Sequence, residues 1–372
     1  MIDKIKILYV INYITNGGPT RVLLNQMYGL DHNKFDIYLL TLIDSNDEMI
    51  EHELEKNNIH IVKIKMRKKI KDMFLFKNKI INEVRKISPN IIHTHGIVPS
   101  IILSSNRIKT IKVTTIHDNI YEDYKRTYGT VKGLLIAFIH LKRLKKFDYI
   151  FGCSRTSYNV IKNKFKNITY IRNGIDVLKP SPKNKKLIRK KIRQELGIDD
   201  NAIVYCYCGA LNKLKRVKEL VEKFNYTLND NEYFIIAGDG KEFDNISSSI
   251  KNNHIIMVGF KKNIIDYYIA SDIYTSNSSS EGFSISIIEA LSCNLLLFLS
   301  NIPSHCECFE IDHTYYLGEI FSDDNFSEKK KRLSFNLKKT NTEKFYKKYL
   351  SSQSMVSEYV NYYERLLKNE KK

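Results

Sequence analysis

The chain has 372 residues and carries 60 Lys and Arg against 41 Asp and Glu, a formal charge of +19. That length suits two domains, each able to build its own core, and the 43% hydrophobic content argues against a disordered or collagen-like chain. No apolar run approaches the roughly 18 residues of a membrane-spanning helix, and the N-terminus enters a strand at once, so neither an anchor nor a signal peptide is expected.

The first half alternates apolar strands with helical stretches, the pattern of a parallel sheet with crossover helices. Ile5–Ile11 reads as a strand, followed by Asn16-Gly17-Gly18-Pro19 and a helix from Thr20 to Leu30. Gly17 and Gly18 permit a tight turn that lets a ligand approach the backbone, and Pro19 suits a first helical turn. Strands continue at Phe35–Ile43, His60–Ile64, Asn90–His95, Lys112–His117, Asp148–Cys153 and Ile168–Ile171. Open parallel sheets bind ligands beyond the carboxyl ends of their strands. His93 and His95 end one strand and His117-Asp118 another, so these histidines are candidates for ligand contact or for internal structure.

The charge is unevenly spread. Residues 63–86 hold ten Lys/Arg against Asp72 and Glu83, residues 125–146 hold seven with no acid, and residues 179–193 hold eight with none. A basic face attracts phosphate-rich partners, or it is simply solvated. Within 125–146, Val131, Leu134, Leu135, Phe138 and Leu141 recur at helical spacing. Such a stripe packs into a core or lies in a membrane interface. The clustered lysines favour the membrane, since each is worth roughly 1 kcal/mol near anionic lipid.

Arg172-Asn173-Gly174-Ile175-Asp176 is a turn that closes the first half. The alternation restarts at Ala202–Cys208, then Gly209-Ala210-Leu211-Asn212-Lys213-Leu214-Lys215-Arg216 leads into a helix over 217–228. Tyr233–Ala237 runs into Gly238-Asp239-Gly240. His254–Phe260, a helix near 262–270 and Asp272–Thr275 bring the chain to Ser278-Ser279-Ser280-Glu281-Gly282-Phe283-Ser284, and Glu289 follows. This stretch predicts a polar turn and a helix opening near Gly282, capped by Ser280 or Glu281. First-turn N–H groups suit phosphate and a carboxylate suits hydroxyls, a pairing fit for a phosphorylated sugar. Leu295–Ser300 is a further buried strand, and 342–371 reads as one long charged helix. Six cysteines include Cys206-Tyr207-Cys208 and Cys306-Glu307-Cys308, which lack the common metal-binding Cys-x2-Cys spacing; a reduced cytoplasmic chain without a metal site is expected.

Ser278, Glu281, Gly282, Phe283, Glu289 and Ala290 match the Glu-x7-Glu signature, so the chain resembles the family 4 retaining glycosyltransferases. The likeness runs from Gly17-Gly18 to Glu307 and includes Asn173-Gly174-Ile175-Asp176 and Gly238-Asp239-Gly240. It implies a GT-B α/β fold, with two doubly wound Rossmann-like domains facing a central cleft. Residues 1–175 would form the acceptor-side domain and 176–341 the nucleotide-sugar domain. The helix 342–372 would cross back onto the first domain. It also implies that Glu281 contacts the donor sugar, His117 faces that sugar, Lys215 meets the diphosphate, with Lys213 or Arg216 as the substitute for the Arg that Ala210 replaces, and Glu289 meets the ribose. Gly17, Gly18, Gly209, Gly238, Gly282, Phe283 and Ser284 would line the donor. Asn301-Ile302-Pro303 to Glu307 resembles a loop ending in a donor-side Glu. Ala210 departs from the family, which usually has Arg there.

The expected activity is transfer of a sugar from a nucleotide-diphosphate sugar, a UDP-sugar foremost, to a glycan or lipid-linked acceptor in bacterial surface polysaccharide such as capsule or O-antigen. No cofactor or metal is expected. The partner surface would be an anionic membrane, with the protein peripheral on the inner face of the cell membrane. Ala210 keeps open a degenerate relative or a sugar epimerase. A nucleic-acid-binding protein fits the charge, but zinc-finger spacing and an RNP-like aromatic signature are missing. Hydrolysis fits poorly, because eight helical residues span roughly 12 Å whereas hydrolytic carboxyls stand about 5–9.5 Å apart.

Overall fold

The computed structural model describes residues 4–15, 17–44, 48–67, 70–339 and 341–370. They form two compact units, one of residues 1–175 with 352–372 and the other of residues 176–351. In the first unit seven parallel strands run β1 (Ile5–Ile11), β2 (Phe35–Thr41), β3 (Ile59–Lys63), β4 (Ile91–His95), β5 (Ile111–Ile116), β6 (Tyr149–Gly152) and β7 (Ile168–Tyr170). Their order across the sheet is β3-β2-β1-β4-β5-β6-β7. The direction of winding therefore reverses between β1 and β4, and such a reversal opens a crevice at the carboxyl ends of the two strands. β4 and β5 are buried along their whole length, as strands covered by helices on both faces must be.

The second unit repeats the plan with β8 (Ile203–Cys208), β9 (Glu232–Ala237), β10 (Ile255–Gly259), β11 (Ile273–Ser276), β12 (Leu296–Ser300) and β13 (Gly318–Phe321). The order β10-β9-β8-β11-β12-β13 places its reversal between β8 and β11. Twelve of these thirteen strands follow from the apolar runs of the sequence. The thirteenth begins at Gly318, whose φ is +137° and where a Cβ would fall 1.9 Å from the Leu297 carbonyl oxygen. A four-residue strand opening on such a glycine carries too short an apolar run to be read.

The single helix expected over 342–371 is two. Thr342–Tyr349 belongs to the second unit, where Thr342 Oγ1 donates to the Leu295 carbonyl at 3.0 Å. Leu350 then leaves helical geometry at φ −129°, and two serines follow. Ser352–Glu370 restarts as a helix and belongs to the first unit. Its Tyr363 hydroxyl meets His93 Nδ1 at 2.6 Å, accepts from Gln26 Nε2 at 2.9 Å and lies 3.2 Å from the Tyr9 hydroxyl. Tyr359 reaches Thr115 Oγ1 at 3.0 Å, and Thr115 in turn meets His93 Nε2 at 2.8 Å. His93 thus has a structural task, locking the last helix to the sheet.

The basic stretch 179–193 is partly spent inside the second unit. Arg193 is fully buried in the helix Pro182–Glu195 and donates to the carbonyls of Ala270, Asp199, Asp200 and Ala202 and to Asp272 Oδ2. Arg189 pairs with Asp272 at 2.6 Å and Lys179 with Glu343 at 2.9 Å. Three of its eight cations are therefore neutralised internally and offer nothing to an outside anion.

The stripe in 125–146 faces outward. In the helix Thr130–Leu144, Val131, Leu135 and Phe138 are 82%, 59% and 64% exposed, and Leu134 is exposed too. Gly133, Ala137, His140, Leu141 and Leu144 make the buried face, so of the five apolar residues only Leu141 turns inward. In the other basic segment, Lys63 pairs with Glu51 at 2.6 Å and Lys86 with Glu83 at 2.8 Å, while Lys68 and Lys69 lie outside the described residues.

Candidate active site

In the second unit, the loops that leave β8 and β11 lie at the winding reversal, and backbone contacts bolt them together. Gly238 has no room for a side chain, since a Cβ would fall 1.9 Å from the Gly209 carbonyl oxygen. Gly209 itself sits at φ +155°, a conformation L side chains rarely adopt. Leu211 N donates to the Asp239 carbonyl at 2.8 Å. Asn212 Oδ1 accepts from the backbone N of Leu214 at 3.0 Å and of Lys215 at 3.3 Å, which fixes the turn that presents Lys215. Ser279 N donates to the Leu214 carbonyl at 2.8 Å, tying the second loop to the first.

These constraints bring Lys215 and Glu281 together. Lys215 Nζ donates to Glu281 Oε1 at 2.5 Å and Ser278 Oγ donates to the same oxygen at 2.7 Å. The two side chains are 24% and 12% exposed, half-dry yet reachable. Arg216 lies at φ +48° ahead of the helix Val217–Thr227, with its guanidinium 3.5 Å from Glu219. Ala210 is exposed, and its carbonyl accepts from the Tyr207 hydroxyl at 2.8 Å.

Two expectations need correction. The helix opens at Ile285, with Ser284 as its N-cap and no side-chain cap bond, rather than near Gly282. Glu281 therefore caps nothing: its Oε1 takes the Ser278 hydroxyl and the Lys215 ammonium, while Phe283 and Ser284 turn inward. Glu289 is only 5% exposed, and its Oε2 accepts from the Tyr268 hydroxyl at 3.0 Å.

His305 was not singled out by the sequence, where the same loop pointed to Glu307. Glu307 is fully buried in the helix Pro303–Phe309. His305 is fully buried as well, and its Nδ1 lies 3.0 Å from the Ser300 carbonyl, which can only accept. The neutral ring therefore carries its proton on Nδ1, and Nε2 is a buried acceptor without a partner among the described residues. Burial pushes this imidazole down to about 4, with Glu281 pulling it up and Lys215 pulling it down. A neutral acceptor thus sits within electrostatic reach of the ion pair.

The first unit has its own crevice at the β1/β4 reversal, a cavity of about 230 Å³ lined among others by Asn12, Gly96, His117, Asp118, Tyr124 and His140. His117 Nε2 meets His95 Nδ1 at 2.9 Å, and His140 Nδ1 meets the Tyr124 hydroxyl at 2.7 Å. Asn12 Oδ1, His95 Nε2, His117 Nδ1 and His140 Nε2 are buried without partners among the described residues. Burial holds His117 and His140 down to about 4, and it pushes the Asp118 carboxyl up. Open hydrogen-bonding positions on neutral rings, with Asp118 and Asp123 on the same wall, suit the hydroxyls of a sugar. His140 and Tyr124 come from two helices and meet only through tertiary packing, so no local pattern announces them. Gly17 caps the helix Gly18–Tyr28 in extended geometry, and Asn16 lies outside the described residues. Among the described residues no cluster of His, Cys, Asp and Glu is arranged to hold a metal ion.

Two parallel sheets, each with polar loops gathered where its strand order reverses, define a pair of Rossmann-like ligand-binding units. The family described as "Glycosyl transferases group 1" matches residues 188–371, and "Glycosyltransferase Family 4" matches residues 16–178. The chain belongs to this glycosyltransferase family, and it is a glycosyltransferase. It is 26% identical to the O-antigen biosynthesis glycosyltransferase WclY of Escherichia coli, over 98% of this chain and 99% of that protein. It is 25% identical to an Escherichia coli UDP-Gal:alpha-D-GlcNAc-diphosphoundecaprenol alpha-1,3-galactosyltransferase, over 87% and 86% of the two chains. Among solved structures, Anabaena Alr3699/HepE in complex with UDP and glucose superposes with a TM-score of 0.77 at 17% identity, covering 97% of this chain and all of that one. That likeness establishes a shared fold.

Proposed function

We propose that the protein transfers a sugar from a uridine-diphosphate sugar to a lipid-linked glycan, with retention at the anomeric carbon and without a metal ion, in the assembly of a bacterial surface polysaccharide. The observation that carries this reading is the Lys215–Glu281 pair at the reversal of the second unit. Departure of the leaving group creates a diphosphate, and a positioned ammonium stabilises that charge as it forms. Lys215 is the cation held there, and donor binding transfers its hydrogen bond from Glu281 to phosphate oxygen. Glu281 is then released to accept a sugar hydroxyl, with Ser278 still orienting it. His305 Nε2 offers a second neutral acceptor nearby. Gly209 and Gly238 keep the adjoining loops bare, so that backbone rather than side chains lines the nucleotide. Glu289 faces the nucleotide ribose, its Oε2 oriented in the free protein by the Tyr268 hydroxyl.

The hydroxyl-rich acceptor fits the cavity of the first unit, with His117 and His140 as hydrogen-bonding partners. Relatives named for O-antigen biosynthesis and for a diphosphoundecaprenol-linked substrate support an acceptor carried on lipid. The exposed Val131, Leu135 and Phe138 beside Lys132, Lys142 and Lys145 support work at the inner face of the cell membrane. Among the described residues no helix is long and apolar enough to cross a membrane, and the proposed association is peripheral.

A panel of nucleotide sugars, assayed for release of nucleoside diphosphate with and without polyprenyl-diphosphate-linked acceptor, tests the reading. Release from a uridine-diphosphate sugar that rises with acceptor supports it. Folded protein that releases nothing from any donor refutes it.

A further inference from the structure

A second cavity of the first unit, about 310 Å³, lies where the helix Ile70–Ile87, the turn after the helix Ile97–Leu103 and the end of the helix Thr130–Leu144 meet. Lys77, Arg107, Arg143 and Lys146 line it, together with Ser105 and Asn106. Their polar partners are neutral: Lys146 Nζ donates to Asn106 Oδ1 at 2.9 Å and Arg107 to Asn78 Oδ1 at 3.3 Å. Among the described residues none of the four cations pairs with a carboxylate. Elsewhere on the same unit Lys63, Lys86 and Arg126 all do. Lys112, which is buried, is held below the usual lysine range by burial and by the Lys146 charge, although Asp148 pulls it up. Positive charge is thus concentrated here, with no carboxylate ion-paired to any of the four cations among the described residues, and such a cluster attracts an anion.

The chemistry of the lining is that of a phosphoryl site: guanidinium forks, ammonium groups and a serine hydroxyl facing one small volume. The source of the phosphate follows from the helix that supplies Arg143. At 100° per residue, Lys142 falls within the exposed stripe formed by Val131, Leu135 and Phe138, and Arg143 follows about 80° round from Leu135. A bilayer that received the stripe would bring its headgroups to the level of Arg143 and Lys146. We propose that this cavity seats the phosphate of an anionic phospholipid headgroup, an inference that rests on the membrane reading above.

The test is flotation of the whole protein with vesicles of phosphatidylcholine, alone and mixed with phosphatidylglycerol. Lys77→Ala/Arg107→Ala removes two charges inside the cavity, and Lys132→Ala/Lys145→Ala removes two exposed charges of the same helical region outside it. Loss of two charge-assisted hydrogen bonds predicts a fall of at least about a hundredfold in phosphatidylglycerol-dependent binding for the first pair. Loss of diffuse attraction alone predicts about thirtyfold for the second. Equal falls for the two pairs overturn the site while leaving the membrane reading intact. A wild type that floats with neither vesicle overturns both. Calorimetry with soluble glycerol 3-phosphate separates the sources. Binding of it that the cavity variant abolishes, with vesicle flotation unchanged, assigns the cavity to a free phosphate and overturns the lipid. Thermal melting and donor hydrolysis are expected to match the wild type in both variants.

Discussion

The Lys215–Glu281 contact makes a prediction in which two neighbouring substitutions act in opposite directions. In the free protein the ammonium is already engaged, at 2.5 Å from the carboxylate, with both groups largely screened from water. A diphosphate must win Lys215 from Glu281, and it then sits near a carboxylate of like sign. Lys215→Ala deletes a charge-assisted hydrogen bond worth about 1.5–3 kcal/mol, so affinity for uridine diphosphate should fall ten- to a hundredfold. Glu281→Gln keeps the shape, frees the lysine and removes the repulsion. One unit of charge about 8 Å away at an effective dielectric near 20 is worth about 2 kcal/mol. Uridine diphosphate should therefore bind Glu281→Gln roughly thirtyfold more tightly, while sugar transfer by the same variant is lost. Arg216→Ala should change affinity less than about twofold, because its guanidinium is turned to Glu219. Isothermal calorimetry with uridine diphosphate reads all three. If Glu281→Gln weakens binding as Lys215→Ala does, the pair is a structural strut and not a contact that the diphosphate displaces. If Arg216→Ala does the larger damage, the clamp has moved there.

Three further outcomes follow from buried polar groups. His117, His140 and His305 are held neutral with pKa values of about 4, so the unfolded chain takes up protons from about 6.5 downward while the folded one does not. Stability should thus fall as pH drops from 7 to 5.5, by about 1 kcal/mol for each group, and urea unfolding that is flat across this window would contradict the assignment. Tyr363→Phe removes the hydroxyl shared by His93, Gln26 and Tyr9, and should cost roughly 2–4 kcal/mol and expose the last helix to proteolysis; a change in urea midpoint within error would show that water fills the gap. Arg193→Met strands four carbonyls and part of Asp272, and should cost about 3–5 kcal/mol in a denaturant titration, with Arg193→Met/Asp272→Asn recovering some of it.

The fold was largely legible because its cause is local. Runs such as Ile7–Ile11 and Leu296–Leu299 are apolar throughout, as parallel strands buried on both faces must be. What escaped was decided by packing. Gly318 begins a strand because only a glycine fits against Leu297, and the tail breaks at Leu350 because two units claim its halves. In the candidate site, Glu281 and Lys215 lie in stretches whose spacing the sequence already marks, and the structure brings the two side chains together. Their direct pairing depends on Ser279 and Asn212 holding two loops together, which no spacing records. Glu289 lies in the same signature, yet burial against Tyr268 gives it another setting. His140 and His305 are lone histidines in ordinary surroundings, visible only once their unpartnered ring nitrogens are seen. The stripe Val131–Phe138 shows the opposite case. Helical spacing alone left core and surface open, and the exposure of Val131, Leu135 and Phe138 decides for the surface.

The central claim is that the Lys215–Glu281 centre moves a sugar from a uridine diphosphate onto a glycan with its anomeric configuration kept. Proton NMR of the product, formed from a donor of known anomeric configuration, measures this directly. The account predicts one uridine diphosphate released per glycosidic bond, the donor's configuration retained in that bond, and no product from Glu281→Gln. An inverted linkage, or undiminished transfer by folded Glu281→Gln, would contradict it.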